Sequence, residues 1–119
     1  MASAFLHRTM DRTADSGYTK KWVCSTWLKI SNLGSVANKG LFSIQKGSTS
    51  NSRLNVGFDS GDKLWVETKD STGNDDAFKA TDMLFRDPNA WYHIYIKYDS
   101  TESTASDRLI MFINGVEQS

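Results

Sequence analysis

The sequence is short of almost everything that usually announces a reaction. It has one cysteine, one proline, two histidines and three glutamates in 119 residues. The lone Cys24 excludes a disulfide framework within the chain, and its place inside an apolar alternating run reads as a small buried hydrophobe. His7 and His93 with that cysteine do not make a zinc set, which needs roughly three or four clustered ligands. No Gly-x-Ser-x-Gly elbow occurs, and Cys24 is not at an exposed turn or helix start, so a serine or cysteine nucleophile has no recognisable setting. No run approaches the about 20 apolar residues of a membrane-spanning helix. The first residues, Met-Ala-Ser-Ala-Phe-Leu-His-Arg, lack the charged start and apolar stretch of a signal peptide. An excess of one charge is missing too. Fourteen basic and fourteen acidic side chains cancel, and Lys20-Lys21 is the longest basic run, so no bulk field draws nucleic acid or an anionic membrane. The expectation is no nucleic-acid partner and no membrane insertion.

Sustained helical periodicity is also absent. Twenty-five Ser and Thr residues suit short strands joined by polar loops. At this length one domain spanning residues 1–119 buries a core without staples. Strand candidates recur between Gly, Asn, Asp and Ser clusters: residues 4–10, 21–30, 41–45, 53–58, 63–69 and, weakly patterned, 77–85. In residues 21–30, Trp22, Cys24, Thr26, Leu28 and Ile30 share one face, and Val23, Ser25, Trp27 and Lys29 the other. Leu54, Val56 and Phe58 align, as do Leu64, Val66 and Thr68, with Asp59-Ser60-Gly61-Asp62 as the hairpin connection. Arg86-Asp87-Pro88-Asn89 is a turn. The clearest pattern is the last: residues 91–99, an acidic Ser/Thr-rich loop, residues 108–113, and Asn114-Gly115, which take the positive φ values of a two-residue hairpin turn. Only Val116, Glu117, Gln118 and Ser119 follow, so the returning strand is very short or the chain is a piece of a longer protein. Strands at this spacing without helices predict an all-β, two-sheet antiparallel sandwich or jelly roll. The loops 31–40, 47–52, 70–76 and 100–107 are where recognition would sit.

The order of several motifs carries a resemblance. Trp22-Val-Cys-Ser-Thr-Trp27-Leu-Lys29, Leu41-Phe42-Ser43, Phe85-Arg-Asp-Pro-Asn-Ala-Trp91-Tyr-His93-Ile, Ser106-Asp-Arg-Leu and Phe112-Ile-Asn114-Gly115-Val, taken together, resemble the concanavalin A-like lectin/glucanase superfamily. Within it the chain is most similar to the laminin-G-like domains of structural and tail proteins of marine bacteriophages. The resemblance implies a two-sheet jelly roll that continues past the Asn-Gly turn, ending in a strand near the N-terminal one. It implies a virion or extracellular setting and, because an open sheet edge would aggregate unless covered, a homo-oligomer or neighbouring virion subunits as partners.

Glycosidases of this superfamily carry Glu-x-Asp-x-x-Glu on one strand, so that acid and nucleophile face one cleft. The nearest approximation here, Glu67-Thr-Lys-Asp70, has odd spacing that sends the two carboxylates to opposite faces. The chain is therefore expected not to be an enzyme. No cofactor is required; calcium is the metal the composition favours, since Asp70, Asn74, Asp75 and Asp76 share one loop and laminin-G-like domains often hold calcium at a loop rim. A glycan site would use aromatic faces beside hydrogen-bonding groups, and the alternation puts Trp27, Trp65, His93 and Tyr95 on faces opposite the aliphatic ones. Two functional expectations follow: a structural or assembly module of a phage particle, completed by self-association, or a recognition module contacting host-surface glycans.

Overall fold

A computed structural model describes residues 21–31, 39–45, 53–70 and 72–119. The strand expected at residues 4–10 and most of the loops 31–40 and 47–52 lie outside the described residues. Among the described residues eight strands run in order: β1 (Lys21–Leu28), β2 (Lys39–Gln45), β3 (Arg53–Phe58), β4 (Leu64–Lys69), β5 (Asp75–Ala80), β6 (Tyr92–Asp99), β7 (Leu109–Ile113) and β8 (Val116–Gln118). A single 3₁₀ turn, Ala105–Asp107, interrupts the acidic loop. The strands form two antiparallel sheets of four, β1-β6-β7-β8 and β2-β3-β4-β5. The molecule is the all-β sandwich that the alternation predicts.

The core is the set of inward rows. Leu54, Val56 and Phe58 of β3 and Leu64 and Val66 of β4 meet Tyr92, Ile94, Ile96 and Tyr98 of β6 and Leu109, Met111 and Ile113 of β7, all buried. Each fully buried aliphatic or methionine contributes about 1.5–3 kcal/mol of transfer free energy, so these rows dominate stability. Phe85, from the segment after β5, is wholly buried and packs edge-on against both Phe58 (5.0 Å) and Tyr92 (4.8 Å), which ties the sheets together at one end. Thr81 beside it is also wholly buried. Its hydroxyl accepts from the Leu64 N–H and donates to the Met83 carbonyl, so burial leaves no polar group unpaired there.

Turns follow their residue chemistry. Asp59 Oδ1 accepts from the Gly61 and Lys63 N–H groups and closes the β3–β4 hairpin, where Asp62 takes a φ of 65°. Asn114 and Gly115 both have positive φ, 51° and 81°, and β8 returns for three residues against β7. The weakly patterned stretch 77–85 divides: strand ends at Ala80, and Thr81 and Phe85 become anchors of irregular chain.

Candidate functional site in the outer face of the second sheet

The outward rows of β2-β3-β4-β5 do not form a flat polar surface. They line a hollow of about 760 Å³, bounded by Ser43 of β2, Arg53 and Asn55 of β3, Trp65 and Glu67 of β4, and Phe78 and Ala80 of β5. Register explains the gathering. Ser43 stands opposite Asn55, Asn55 opposite Glu67, and Glu67 opposite Phe78, while Trp65 faces Ala80. Directly opposed residues in antiparallel strands point to the same side. The row Ser43, Asn55, Glu67, Phe78 therefore crosses all four strands.

A hydrogen-bond chain runs along this row. Ser43 Oγ donates to Asn55 Oδ1 at 2.6 Å, Asn55 Nδ2 donates to Glu67 Oε2 at 3.3 Å, and Arg53 Nε donates to the same oxygen at 2.9 Å. Lys69 lies 3.4 Å from Glu67 Oε1 and 2.6 Å from Asp75. Partial burial pushes the Glu67 carboxyl up, but the Arg53 guanidinium, Asn55 and Lys69 together outweigh it and hold the group below the ordinary carboxylate range. The floor is thus charge-compensated and fixed. At its sides stand two aromatics: Phe78, 60% exposed, and the half-buried Trp65. The Trp65 indole N–H is the one buried side-chain polar atom without a hydrogen-bond partner among the described residues.

The four aromatics offered as glycan-binding candidates all point outward, but from both sides of the sandwich. Trp27, His93 and Tyr95 come together on the outer face of β1-β6-β7-β8: Trp27 and His93 are cross-strand neighbours with ring centroids 5.0 Å apart, and Tyr95 meets Phe112 edge-on at 5.9 Å. Ser25 Oγ lies 2.9 Å from His93 Nε2. Trp65 belongs to the other sheet and has no part in that cluster. The hollow around Trp65 was incompletely legible. Arg53 and Asn55 hold the polar positions of an alternating strand, and Glu67 shares its parity with Trp65, so that row could have been read. Phe78 could not, because Asp75 and Asp76 before it and the irregular chain after it blur the strand.

In the loop with Asp70, Asn74, Asp75 and Asp76, each group has a protein partner. Asp70 Oδ1 accepts from the Thr72 hydroxyl and from the Thr72 and Asn74 N–H groups, which lowers its carboxyl from the ordinary range. Asn74 Nδ2 donates to Thr72 Oγ1, Asp75 pairs with Lys69, and Asp76 accepts from the Tyr98 hydroxyl across the gap between the sheets. Among the described residues no group of three or more His, Cys, Asp or Glu is gathered for a metal ion.

A family model described as the concanavalin A-like lectin/glucanases superfamily, of laminin G type, matches residues 9–119. The chain belongs to this superfamily. Comparison with curated proteins and with solved structures gives no significant match. The superfamily's name spans sugar binding and sugar cleavage, and the carboxylates of this laminin-G-like domain bear on that difference. Among the described residues two line the hollow, Asp59 and Glu67. Asp59 is spent on its own turn, and Glu67 is held ionised by cations. A glycosidase needs one carboxyl kept protonated as general acid, and the groups around Glu67 shift it the other way.

Proposed function

We propose that this chain is a non-enzymatic recognition module that holds a neutral glycan in the hollow over β2-β3-β4-β5, displayed on the surface of a particle such as a phage virion. The observation that carries the reading is the hollow itself, with exposed Phe78 and half-buried Trp65 beside a pre-bonded Ser43–Asn55–Glu67–Arg53 row. Sugars present an apolar face and a rim of hydroxyls, and such a site supplies a stacking surface and fixed donors and acceptors at once. The internal pairing of Arg53 with Glu67 argues for an uncharged ligand. Repeated copies on a particle would raise weak single-site binding by avidity.

The test is a printed array of neutral, sialylated and sulfated oligosaccharides probed at low and high salt. The expected result is binding to neutral glycans that changes little with salt, with no release of reducing sugar. Binding confined to acidic glycans and abolished by salt would contradict it, because exposed charge pairing is screened over about 8–10 Å at moderate ionic strength.

A second reading, a structural or assembly module, is favoured by a different observation. Val23 and Trp27 on one outer face are 59% and 63% exposed, and the inward-facing residues at two sheet rims, Ile44 and Val116, are exposed as well. Apolar side chains left open at a rim gain by meeting another subunit. The two readings are compatible, since they use opposite faces and rims of the sandwich.

A further inference from the structure

Four strands rim the two sheets: β1 and β8, β2 and β5. Three of them carry features that discourage pairing with another strand. β8 is three residues long, with a charge at Glu117. β2 begins on Lys39 and shifts register between Gly40 and Phe42. β5 opens on Asp75 and Asp76, shifts register against Thr68/Lys69, and places Lys79 opposite buried Val66, on the inward side. β1 has none of these. It is eight residues long and pairs with β6 in unbroken register from Lys21 opposite Asp99 to Leu28 opposite Tyr92. It contains no proline and no acid, and its one charge is Lys21 at the start. No described residue pairs with its other edge. Its outward row is open at Val23 and Trp27, and its inward row is incompletely covered: Trp22, Cys24 and Leu28 are half-buried and Thr26 is exposed.

We propose that β1 is a self-association edge, on which β1 of a second copy pairs antiparallel across a two-fold axis and joins two four-stranded sheets into one. This rests on the assembly reading above and names its surface and partner. Two-fold pairing puts residues of like parity opposite each other, because opposed side chains share a face. With Ser25 opposite the partner's Ser25, Val23 meets the partner's Trp27, Trp22 meets the partner's Leu28, and Cys24 meets the partner's Thr26. The strand is complementary to itself in this register: its two most exposed apolar side chains cover each other, and its half-buried inward pair closes. Shifting so that Cys24 opposes its own copy sets Trp27 against the partner's Lys21. Shifting the other way, to Thr26, sets Val23 against the partner's Lys29. In the favoured register Lys21 and the partner's Lys29 oppose, but each is held in its own chain. Lys21 Nζ is 2.8 Å from Asp99, and Lys29 Nζ lies 5.7 Å from the Trp91 ring centroid.

The experiment combines light scattering with site-directed crosslinking of the full chain. The wild type should have twice the 13.4 kDa of one chain. In a Cys24→Ser background, Ser25→Cys should crosslink to a covalent dimer on mild oxidation and Val23→Cys should not, since only position 25 faces its own copy. Thr26→Lys, which copies the inward lysine of β5 at an exposed position, should give a monomer with unchanged circular dichroism. A wild-type monomer at every concentration would overturn both the edge and the assembly reading. An oligomer indifferent to Thr26→Lys and uncrosslinked at position 25 would keep assembly and overturn β1 as its seam.

Discussion

Tyr98 is the residue whose chemistry departs furthest from the ordinary. It stacks on Trp22 with centroids 5.6 Å apart, and its hydroxyl donates to Asp76, so one side chain links β6, β1 and the far sheet. Burial first, and then the Asp76 carboxylate, push its pKa from 10.0 up to about 12. A raised folded value means that the group contributes stability fully at neutral pH, and that this contribution is lost as pH rises from about 10 through about 12. Ultraviolet titration of tyrosinate should find one late-titrating tyrosine. In Asp76→Asn that titration should move down but stay above the ordinary value, because burial remains; an unmoved titration would show that Asp76 is not its partner. The sequence gives Tyr98 as an inward residue of an alternating strand. It does not give the link to Asp76, which stands 22 positions away in an Asp-rich loop pattern.

At the scale of elements, Gly57 decides how closely β2 and β3 approach. A Cβ placed there would lie 2.6 Å from the Lys39 carbonyl oxygen and 3.2 Å from Gly40 Cα, both backbone atoms that cannot rotate away. Gly57→Ala should therefore destabilise by about 1–3 kcal/mol in urea unfolding, through overpacking rather than lost contact. A loss under about 0.5 kcal/mol, the scale of a neutral surface change, would mean that β2 yields freely. Elements differ in how far they could be read. β3, β4 and β6 alternate because one face of each meets the core, and their inward rows are the ones the alternation assigns, whereas β7 is apolar at all five positions and only the fold shows that Leu109, Met111 and Ile113 face in. β5 is an edge strand with acids at its start, so its pattern is weak and Phe78 stays hidden. The Asp-rich loop of residues 70–76 patterns as a solvated turn as readily as a cation rim, and its carboxylates pair with Thr72, Lys69 and Tyr98.

At the scale of the whole molecule, the sandwich separates two surfaces that alternation alone could not tell apart. A period of two marks which side chains point outward but not which sheet they leave from, so alternation alone cannot separate Trp65 from Trp27, His93 and Tyr95, although the core lies between them. One surface is a hollow with a fixed polar floor; the other is an open aromatic face beside an unprotected edge. Glycan recognition is the role proposed for the first and assembly the role proposed for the second.

The measurement that tests this division most directly is array binding to neutral oligosaccharides by two variants, Phe78→Ala and Trp27→Ala. Both side chains are about equally exposed in a single chain, 60% and 63%, so neither truncation should change the folding stability of one chain by more than about 0.5 kcal/mol. Phe78→Ala is predicted to weaken binding by about tenfold, the loss of one aromatic stacking contact, with Trp27→Ala unchanged. Binding that survives Phe78→Ala and disappears in Trp27→Ala would contradict the account and move the glycan site to the opposite sheet.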